Sequence, residues 1–335
     1  MPEPNTDEIR IIAFDREHAP QVVEMFKTVY GDEYPIKTYY HPDSLVQAIE
    51  SKDLFQSLAV TTDDRVVGVG NMYRSVPYPR TYESGAGLVH PDFRRHNLLV
   101  RLYEYLYETV APQEAVDLLF GESVCNHVYS QKMQAAMNFT PVALEVDLMP
   151  ADTYSKEKAA TGRVAGLLDC RTYIAGPHRV YLPRLYQEQL AYLYEGLDDA
   201  RQADVSDQSP PSTAASDLDA RHFEHAGVTR VTVQEIGPDF TSRLEQAEAE
   251  AEANQAVVVQ LWLPITCPWV GQAVTDLRER GYFLGGILPR WFGHDGLLMQ
   301  KINAEPYWDG INLHLDRAKR IRDMVYDSWR QSSRG

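Results

Sequence analysis

The stretch that decides the fold is LVHPDFRRHNLL, which runs from residue 88 to residue 99. The apolar run up to Val89 predicts the end of a β-strand. Pro91 stops that strand because proline has no backbone N–H to donate to a sheet. From residue 98 to 110, apolar side chains recur at helical spacing, so the sequence predicts a helix directly after the stretch.

The turn between this strand and this helix has the chemistry of an anion site. A helix that starts after a tight turn points free backbone N–H groups at one spot, and its dipole adds positive potential there. Arg94, Arg95 and His96 add nearby basic side chains. Asn97 suits the turn, because asparagine tolerates the left-handed backbone conformation best among residues other than glycine. Leu99 is bulky and is expected to crowd a bound pyrophosphate.

The segments around the stretch predict an α/β (α+β) class with a mixed, mostly antiparallel sheet flanked by helices. Strands are predicted at 9–14, 55–61, 65–73, 80–89, 115–120 and 140–148. Helices are predicted within 22–30 and at 42–50, 98–110 and 129–137. The resulting order is β-α-α-β-β-β-α-β-α-β.

The strand end, proline, aromatic residue and arginine-rich turn resemble the acyl-CoA motif of the GNAT acetyltransferase superfamily. In that motif Arg/Gln-x-x-Gly-x-Gly/Ala opens the helix. Asn97 stands in place of the first glycine, and Leu99 in place of the second small residue. The resemblance implies acetyl-CoA or another acyl-CoA as cofactor. The cofactor contacts that it implies are Leu88, Val89, Arg94, Arg95, His96, Asn97, Leu98 and Leu99.

Glu83 lies eleven residues before Arg94, at the place of the general base in the histone-acetyltransferase branch of the family. The resemblance implies that Glu83 takes the proton from an ammonium acceptor, which must lose it before attacking a thioester. The alternative is a solvent-facing glutamate at the rim of the sheet. Tyr73 and Tyr82 are alternatives for proton handling or substrate packing.

A second segment, CNHVYSQK at residues 125–132, resembles the family sequence that follows the fifth strand. On this alignment His127 replaces the usual asparagine, Ser130 an alanine, and Gln134 the tyrosine proposed to protonate the leaving thiolate. The resemblance implies cofactor contacts at Asn126 and Ser130 and makes His127 a second catalytic candidate. Roles for His127 as ligand, acid, base or buried structural histidine stay open.

The rest of the chain predicts a linker and a weaker second copy of the pattern. A helix is expected at 182–197, and a Pro/Ser/Asp/Ala-rich linker or exposed loop at 200–219. Residues 256–302 resemble the latter half of a GNAT domain without a pyrophosphate loop. The aromatic, glycine-rich run at 281–292 is expected to line a pocket or to pack in the core. The predicted domains are a GNAT acyl-CoA-binding domain at 1–150, a helical connector and linker at 151–220, and a degenerate GNAT-like domain with a C-terminal helix at 221–335.

Composition excludes several classes of function. The 335 residues carry a formal net charge of −16, which disfavours nucleic acid, since binding to phosphate backbones relies on Lys and Arg. No apolar stretch approaches the length of a membrane span, so no membrane partner is expected. Three dispersed cysteines form neither a disulfide framework nor a metal site and suggest a reducing cytoplasm.

The sequence therefore predicts an acyl-CoA-dependent N-acyltransferase, most simply one using acetyl-CoA. Its acceptor would be a small-molecule or peptide amine that attacks directly. A competing hypothesis is a non-catalytic sensor or interaction module that binds acyl-CoA or another ligand. A third is an enzyme acting on a protein partner, with the second domain as docking surface. A homodimer through the apolar C-terminal helix is also possible.

Overall fold

The computed structural model describes residues 9–31, 34, 36–94, 97–151, 162–197 and 199–332. The chain divides into two compact units, Met1–Leu119 and Phe120–Gly335. Each unit has its own strands and helices. The domain limits at 150 and 220 that the sequence suggests stay predictions.

The first unit is a four-stranded antiparallel sheet with helices on both faces. Its strands, in the spatial order β1-β2-β3-β4, are β1 Arg10–Ala13, β2 Leu54–Val60, β3 Val66–Tyr73 and β4 Thr81–Val89. Its helices are α1 Ala19–Tyr30, α2 Pro42–Glu50, α3 Leu98–Tyr105 and the short α4 Ala111–Gln113. A wide helical turn at Leu106–Val110 joins α3 to α4. These elements confirm the predicted strand and helix order up to residue 113.

Alternating residues of β2 and β3 fill two separate cores. Leu58 and Val69 face a core that includes Phe26 of α1 and Leu45 of α2. Ala59 and Val67 belong to a second core, which includes Leu98 and Leu102 of α3. Because both faces are covered, every residue of β2 is buried, including the polar Gln56 and Ser57 in its centre.

The second unit is also a mixed sheet with helices. Its sheet order is β5-β7-β6-β13-β14-β12-β11-β10, beside a separate parallel pair β8-β9. Its strands are β5 Leu118–Val124, β6 Thr140–Pro150, β7 Arg163–Thr172, β8 His178–Pro183, β9 Arg201–Ser206, β10 Asp217–Phe223, β11 Val228–Glu235, β12 Val258–Pro264, β13 Phe283–Leu288 and β14 Gly296–Ile302. Its helices are α5 Tyr129–Ala136, α6 Gln187–Tyr194, α7 Phe240–Ala253, α8 Val270–Glu279 and α9 Asp316–Ser332.

One topology occurs twice in this unit. The segment β5-α5-β6-β7 places its last strand between the other two, in the order β5-β7-β6. The segment β12-α8-β13-β14 does the same, in the order β12-β14-β13. β6 and β13 each lie at one edge of their segment. They are antiparallel neighbours, and Ala143 pairs with Gly286. The Trp291 ring packs against Trp262 at 5.1 Å and Phe120 at 4.5 Å, which fixes the core between the segments.

The two expectations for the middle of the chain were correct only in part, and the part of the expected linker or loop that connects β9 to β10 is confined to residues 207–216. The helix expected at 182–197 spans only Gln187–Tyr194, because the preceding apolar residues form β8. The expected linker at 200–219 contains β9 and the start of β10. β9 pairs with β8 in parallel, from His178 with Arg201 to Pro183 with Ser206. Such long-range pairing overrides local turn propensity. β7, at Arg163–Thr172, was not predicted as a strand.

A buried charge cluster connects β8, β9 and the turn between β13 and β14. Arg201 Nε donates to Asp295 at 2.6 Å, and His178 Nε2 lies 3.1 Å from the same carboxylate. Burial alone would raise the pKa of Asp295, but the His178 hydrogen bond and the Arg201 charge lower it to about 2. Burial lowers the pKa of His178, but the hydrogen bond and charge of Asp295 outweigh burial and raise it above its usual value. Protonated His178 therefore stabilises the fold.

The stabilisation by His178 is expected to depend on pH. Because the folded-state pKa is raised, the contribution is fully present below about pH 6.5, the unfolded value, and is lost as pH rises through the folded pKa. His178→Gln should cost about 1.5–3 kcal/mol at low pH and less at alkaline pH. Urea unfolding followed by circular dichroism at several pH values measures this difference. His225→Gln, at an exposed position, is the control. A cost for His178→Gln that does not change with pH would contradict the assignment.

Candidate functional site

The strand β4 contains a β-bulge beside the predicted site residues. Val69 of β3 pairs with Leu88, and Asn71 pairs with Gly85. Between these pairs β4 therefore has one residue more than β3. Ala86 takes up the extra length with a left-handed φ of 53°. A bulge increases the local twist and redirects the side chains that follow it.

Two buried amides support the bulge. Asn71 Nδ2 donates to the Ala86 carbonyl oxygen at 2.8 Å, and Gln56 Nε2 donates to Asn71 Oδ1 at 2.7 Å. Both amide side chains are buried within β2 and β3. The carbonyl that the bulge removes from regular pairing is thus satisfied by a side chain, as a buried backbone group requires.

Tyrosine hydroxyls lie close to the β4 backbone around the bulge. A Cβ atom at Gly85 would come within 2.8 Å of Tyr73 Oη, and one at Gly87 would collide with Tyr103 Oη. Tyr103 Oη donates to the Gly85 carbonyl oxygen at 3.0 Å. Glycine is needed at both positions because the hydroxyls occupy the space of a side chain.

Glu83, the predicted general base, is half-buried and bonded to a tyrosine. Tyr73 is its cross-strand partner, and Tyr73 Oη donates to Glu83 Oε1 at 2.5 Å. Burial, and then the negative charge of Glu83, raise the pKa of Tyr73 well above its usual value. The phenol therefore keeps its proton and orients the carboxylate. Tyr82, the other alternative, points elsewhere and donates to the Lys52 carbonyl oxygen at 2.8 Å.

The predicted anion turn has the left-handed residue and the following helix start that the sequence indicated. Arg94 is exposed, and its Nε lies 3.5 Å from the Val89 carbonyl oxygen. Asn97 has φ 52° and ψ 21°, the left-handed conformation, and α3 begins at the next residue. The Asn97 side chain makes no capping hydrogen bond, so it does not satisfy the N–H groups of the first turn of α3. Arg95 and His96 lie outside the described residues.

The leucines of the turn differ in what they can offer a ligand. The Leu98 side chain is buried in the core with Leu102, so only its backbone is available at the start of α3. Leu88 is buried in the other core of the unit. Leu99 is half-buried, and its Cδ1 lies 2.8 Å from where a Cβ on Gly87 would be. The Leu99 side chain therefore covers the bulge.

The predicted site residues of the second unit lie between β5 and the start of α5. The polar side-chain atoms of Asn126 and the hydroxyl of Ser130 are buried and have no hydrogen-bond partner in the described part of the chain. Buried polar atoms of this kind need a partner, and a polar ligand would supply one. His127 Nδ1 accepts from the Tyr129 N–H at 3.4 Å, and its ring lies 5.1 Å from the Tyr129 ring.

Gln134 occupies the place where the family pattern has a tyrosine. Its side chain is buried, and its Nε2 would lie 2.6 Å from a Cβ on Gly121. Asp169 Oδ1 is 3.2 Å from the same point, and burial raises the pKa of Asp169 well above its usual value. A primary amide does not release a proton at neutral pH. Gln134 therefore cannot act as the acid that a tyrosine would be.

Within the described ranges, no three His, Cys, Asp or Glu side chains converge as a metal site would require. In the same ranges, no helix combines the length and the apolar character needed to cross a bilayer.

Comparison with known proteins gives matches to solved structures only. No family model and no curated protein matches the chain. A putative acetyltransferase from Acinetobacter baylyi is 16% identical over 49% of this chain and 93% of its own, with a TM-score of 0.40. A putative acetyltransferase of the GNAT family from Desulfovibrio desulfuricans is 13% identical over 49% and 98%, with a TM-score of 0.38. An aminoglycoside 6′-N-acetyltransferase complexed with coenzyme A is 14% identical over 50% and 99%, with a TM-score of 0.37.

The chain is similar in fold to GNAT acetyltransferases. Identity at this level concerns the fold alone and carries no information on substrate or chemistry.

Sequence reasoning missed two features of the site. The support of the bulge by Gln56 and Asn71 has no local signal, because the two amides meet only when β2 and β3 pair. Tyr73 was named from the sequence, but the other tyrosines near Glu83 come from separate segments. The only available signal was composition, with 20 tyrosines in the chain.

Asn71→Leu is expected to destabilise the first unit by about 2–4 kcal/mol, because it leaves the Ala86 carbonyl and the Gln56 amide without partners. Urea unfolding of the full chain measures the loss. The control is Gln47→Leu, at an exposed position of α2, which should change stability by less than about 0.5 kcal/mol. Equal stability of the two variants would show that the buried amides do not hold the bulge.

Proposed function

We propose that the protein is an acyl-CoA-dependent N-acyltransferase, most simply one that uses acetyl-CoA. The observation that carries the proposal is the turn before α3. There a left-handed Asn97 leads directly into the helix, its side chain makes no capping hydrogen bond to the first N–H groups, and Arg94, three residues earlier in the chain, is exposed. This arrangement suits a pyrophosphate, which the N–H groups, the helix dipole and the guanidinium would bind together.

Arg94 and the backbone at Asn97 to Leu99 would hold the pyrophosphate. When bound, acyl-CoA supplies an activated thioester to the reaction. Leu99 narrows the space beside the bulge, so we propose that it sets the path of the cofactor rather than contacting phosphate. Asn126 and Ser130, with buried polar atoms lacking partners in the described structure, remain proposed cofactor contacts.

Glu83 would prepare the acceptor. An ammonium group is not a nucleophile, so the acceptor must give up a proton before its nitrogen attacks. Glu83 is half-buried and is oriented by the Tyr73 hydroxyl, which fixes the carboxylate for proton transfer. In the overall reaction a nitrogen–carbon bond forms and the carbon–sulfur bond of the thioester breaks. Glu83 takes the first proton from the ammonium group before attack and returns it to solvent, and the second nitrogen proton, lost as the amide forms, passes through solvent to the departing coenzyme A thiolate, which leaves as a thiol. His127 stays a candidate for a second proton-transfer role.

Binding without turnover is a second candidate function, and Gln134 favours it. In the sequence alignment this buried amide replaces the tyrosine that is proposed to protonate the leaving group in the family. A chain with a cofactor site but a poor acid would serve as an acyl-CoA sensor or an interaction module.

We further propose that residues 221–335 are a degenerate second GNAT-like domain. Its β12-α8-β13-β14 segment has the topology of β5-α5-β6-β7. At the start of its helix α7 stands Asp239, and hydrogen bonds from Ser216 lower the pKa of this carboxyl. A carboxylate at that helix end repels phosphate. This copy would therefore be structural, or a docking surface for a protein acceptor.

Coenzyme A should bind the full chain, and Arg94→Gln should weaken binding by about tenfold through loss of a charge-assisted hydrogen bond. Isothermal titration calorimetry at two salt concentrations measures this, with a smaller salt dependence expected for the variant. Arg16→Gln, an exposed arginine of the same unit, should bind like wild type. If wild type has no affinity for coenzyme A at about millimolar ligand, a range typical of weak sites, the proposal fails.

Glu83→Gln should lower kcat for amine acylation by about 10²–10⁴-fold, the usual contribution of a general base, while coenzyme A affinity stays unchanged. Tyr73→Phe should lower kcat by a smaller factor, because the carboxylate remains but loses its orienting donor. Thiol release with a panel of primary amines measures both. Tyr105→Phe on α3 is the matched control. Full turnover by Glu83→Gln across the pH range would remove Glu83 as the base.

A further inference from the structure

Four tyrosines from distant segments lie near Glu83. Tyr34 and Tyr39 come from the chain between α1 and α2, Tyr73 from β3, and Tyr103 from α3. We call these four residues the tyrosine shell. Tyr73 Oη donates to Glu83, Tyr103 Oη donates to the Gly85 carbonyl two residues further along β4, and Tyr34 and Tyr39 belong to the same core as Tyr73. The negative charge of Glu83 also contributes to the raised pKa of each of the four phenols.

The rings on the α1 side of the shell are held in place by core packing. Tyr39 is buried and stacks on Phe26, with 4.2 Å between ring centroids. Tyr34 lies 5.3 Å from the same Phe26 ring and 4.8 Å from Tyr30. Its backbone N–H donates to Tyr40 Oη at 2.9 Å, which anchors the segment. Tyr34 and Tyr30 are half-buried, whereas Phe26 and Tyr39 are buried.

The shell carries no charge of its own. Burial is the largest cause of the raised pKa at each of the four phenols, followed by neighbouring tyrosines or Glu83. The hydroxyls therefore stay protonated at neutral pH, and Glu83 supplies the local negative charge. Aromatic faces also attract cations through their quadrupole. The carboxylate and the rings thus favour the same kind of ligand.

We infer that the acceptor is a monocationic primary amine on an apolar or aromatic skeleton, without a carboxylate or phosphate next to the amine. The inference rests on the proposed function, since it concerns the acceptor side of that site. The ammonium group lies beside Glu83, and the skeleton packs on the faces of Tyr34 and Tyr30.

The same electrostatics exclude two common classes of amine. An α-amino acid would bring its carboxylate close to Glu83, and two like charges in a partly buried site repel strongly. A polyamine would place one ammonium group beside Glu83. Its further ammonium groups would then lie among aromatic rings, because the proposed site has one carboxylate. The discrimination therefore depends on charge next to the amine as well as on size.

The test compares 2-phenylethylamine with L-phenylalanine, which share a skeleton and differ by the carboxylate. Calorimetry with the full chain measures their binding directly, and thiol release with acetyl-CoA measures kcat/KM. 2-Phenylethylamine should bind at least about tenfold more tightly than the amino acid, and more tightly than spermidine. Equal or tighter binding of L-phenylalanine or spermidine, or no detectable binding of 2-phenylethylamine, overturns the inference.

Two substitutions of Tyr34 test the contribution of its aromatic ring to amine binding. Tyr34→Phe keeps the aromatic face and should retain 2-phenylethylamine affinity within about threefold. Tyr34→Leu keeps apolar volume without the quadrupole and should weaken binding by about tenfold. Circular dichroism and coenzyme A affinity, both expected to match wild type, report intact folding. Unchanged amine affinity in Tyr34→Leu contradicts the inference.

Coenzyme A binding separates this inference from the proposed function. Amine preference without coenzyme A affinity overturns the acyltransferase proposal and leaves the amine site standing. Coenzyme A affinity without the amine preference overturns the inference about the acceptor and leaves the acyltransferase proposal standing.

Discussion

The hydrogen bond from Asn71 to the Ala86 carbonyl is the contact on which the candidate site depends. Residues five apart on a regular strand face opposite sides of a sheet, because side chains alternate. Glu83 and Leu88 are five apart, yet Leu88 packs in the core beneath α1 and α2, and Glu83 bonds to Tyr73, which packs against that same core. The extra residue at Ala86 makes this possible by shifting the alternation once. The bulge therefore places the carboxylate on the side of the sheet where Tyr34, Tyr39 and Tyr73 pack with α1 and α2.

The first unit separates two opposite electrostatic environments along one short piece of chain. Glu83, at one end of β4, is a carboxylate among neutral phenols. The turn after β4, from Arg94 to the start of α3, combines a guanidinium with helix N–H groups. An acceptor cation and a donor anion would thus have separate sites joined by the bulged strand. The net charge of −16 does not describe either environment, because both depend on local geometry rather than on totals.

Local patterns predicted the elements that local forces determine. Helix α2 has the limits predicted from the sequence, and Asn97 adopts the backbone conformation that its side chain tolerates. The failures lie where pairing is distant. Strand β9 pairs in parallel with β8, and nothing in its polar sequence indicates that partner. The family resemblance pointed to Glu83 through its distance from Arg94 in the sequence. Tyr34 and Tyr103 come near Glu83 through tertiary packing, which the sequence spacing does not encode. Within the second unit, the repeat of β5-α5-β6-β7 was visible only as a weak likeness around the helix end at Gly281.

The aromatic residues of the chain are divided unevenly between its compact units. All five tryptophans lie in Phe120–Gly335, including the Trp262–Trp291 pair against Phe120. The first unit has phenylalanine and tyrosine instead. Tryptophan emission, excited selectively at the red edge of the protein absorption band, therefore originates from the second unit alone. The chain thus carries a built-in spectroscopic label that can follow the second unit independently of the unit that contains Glu83.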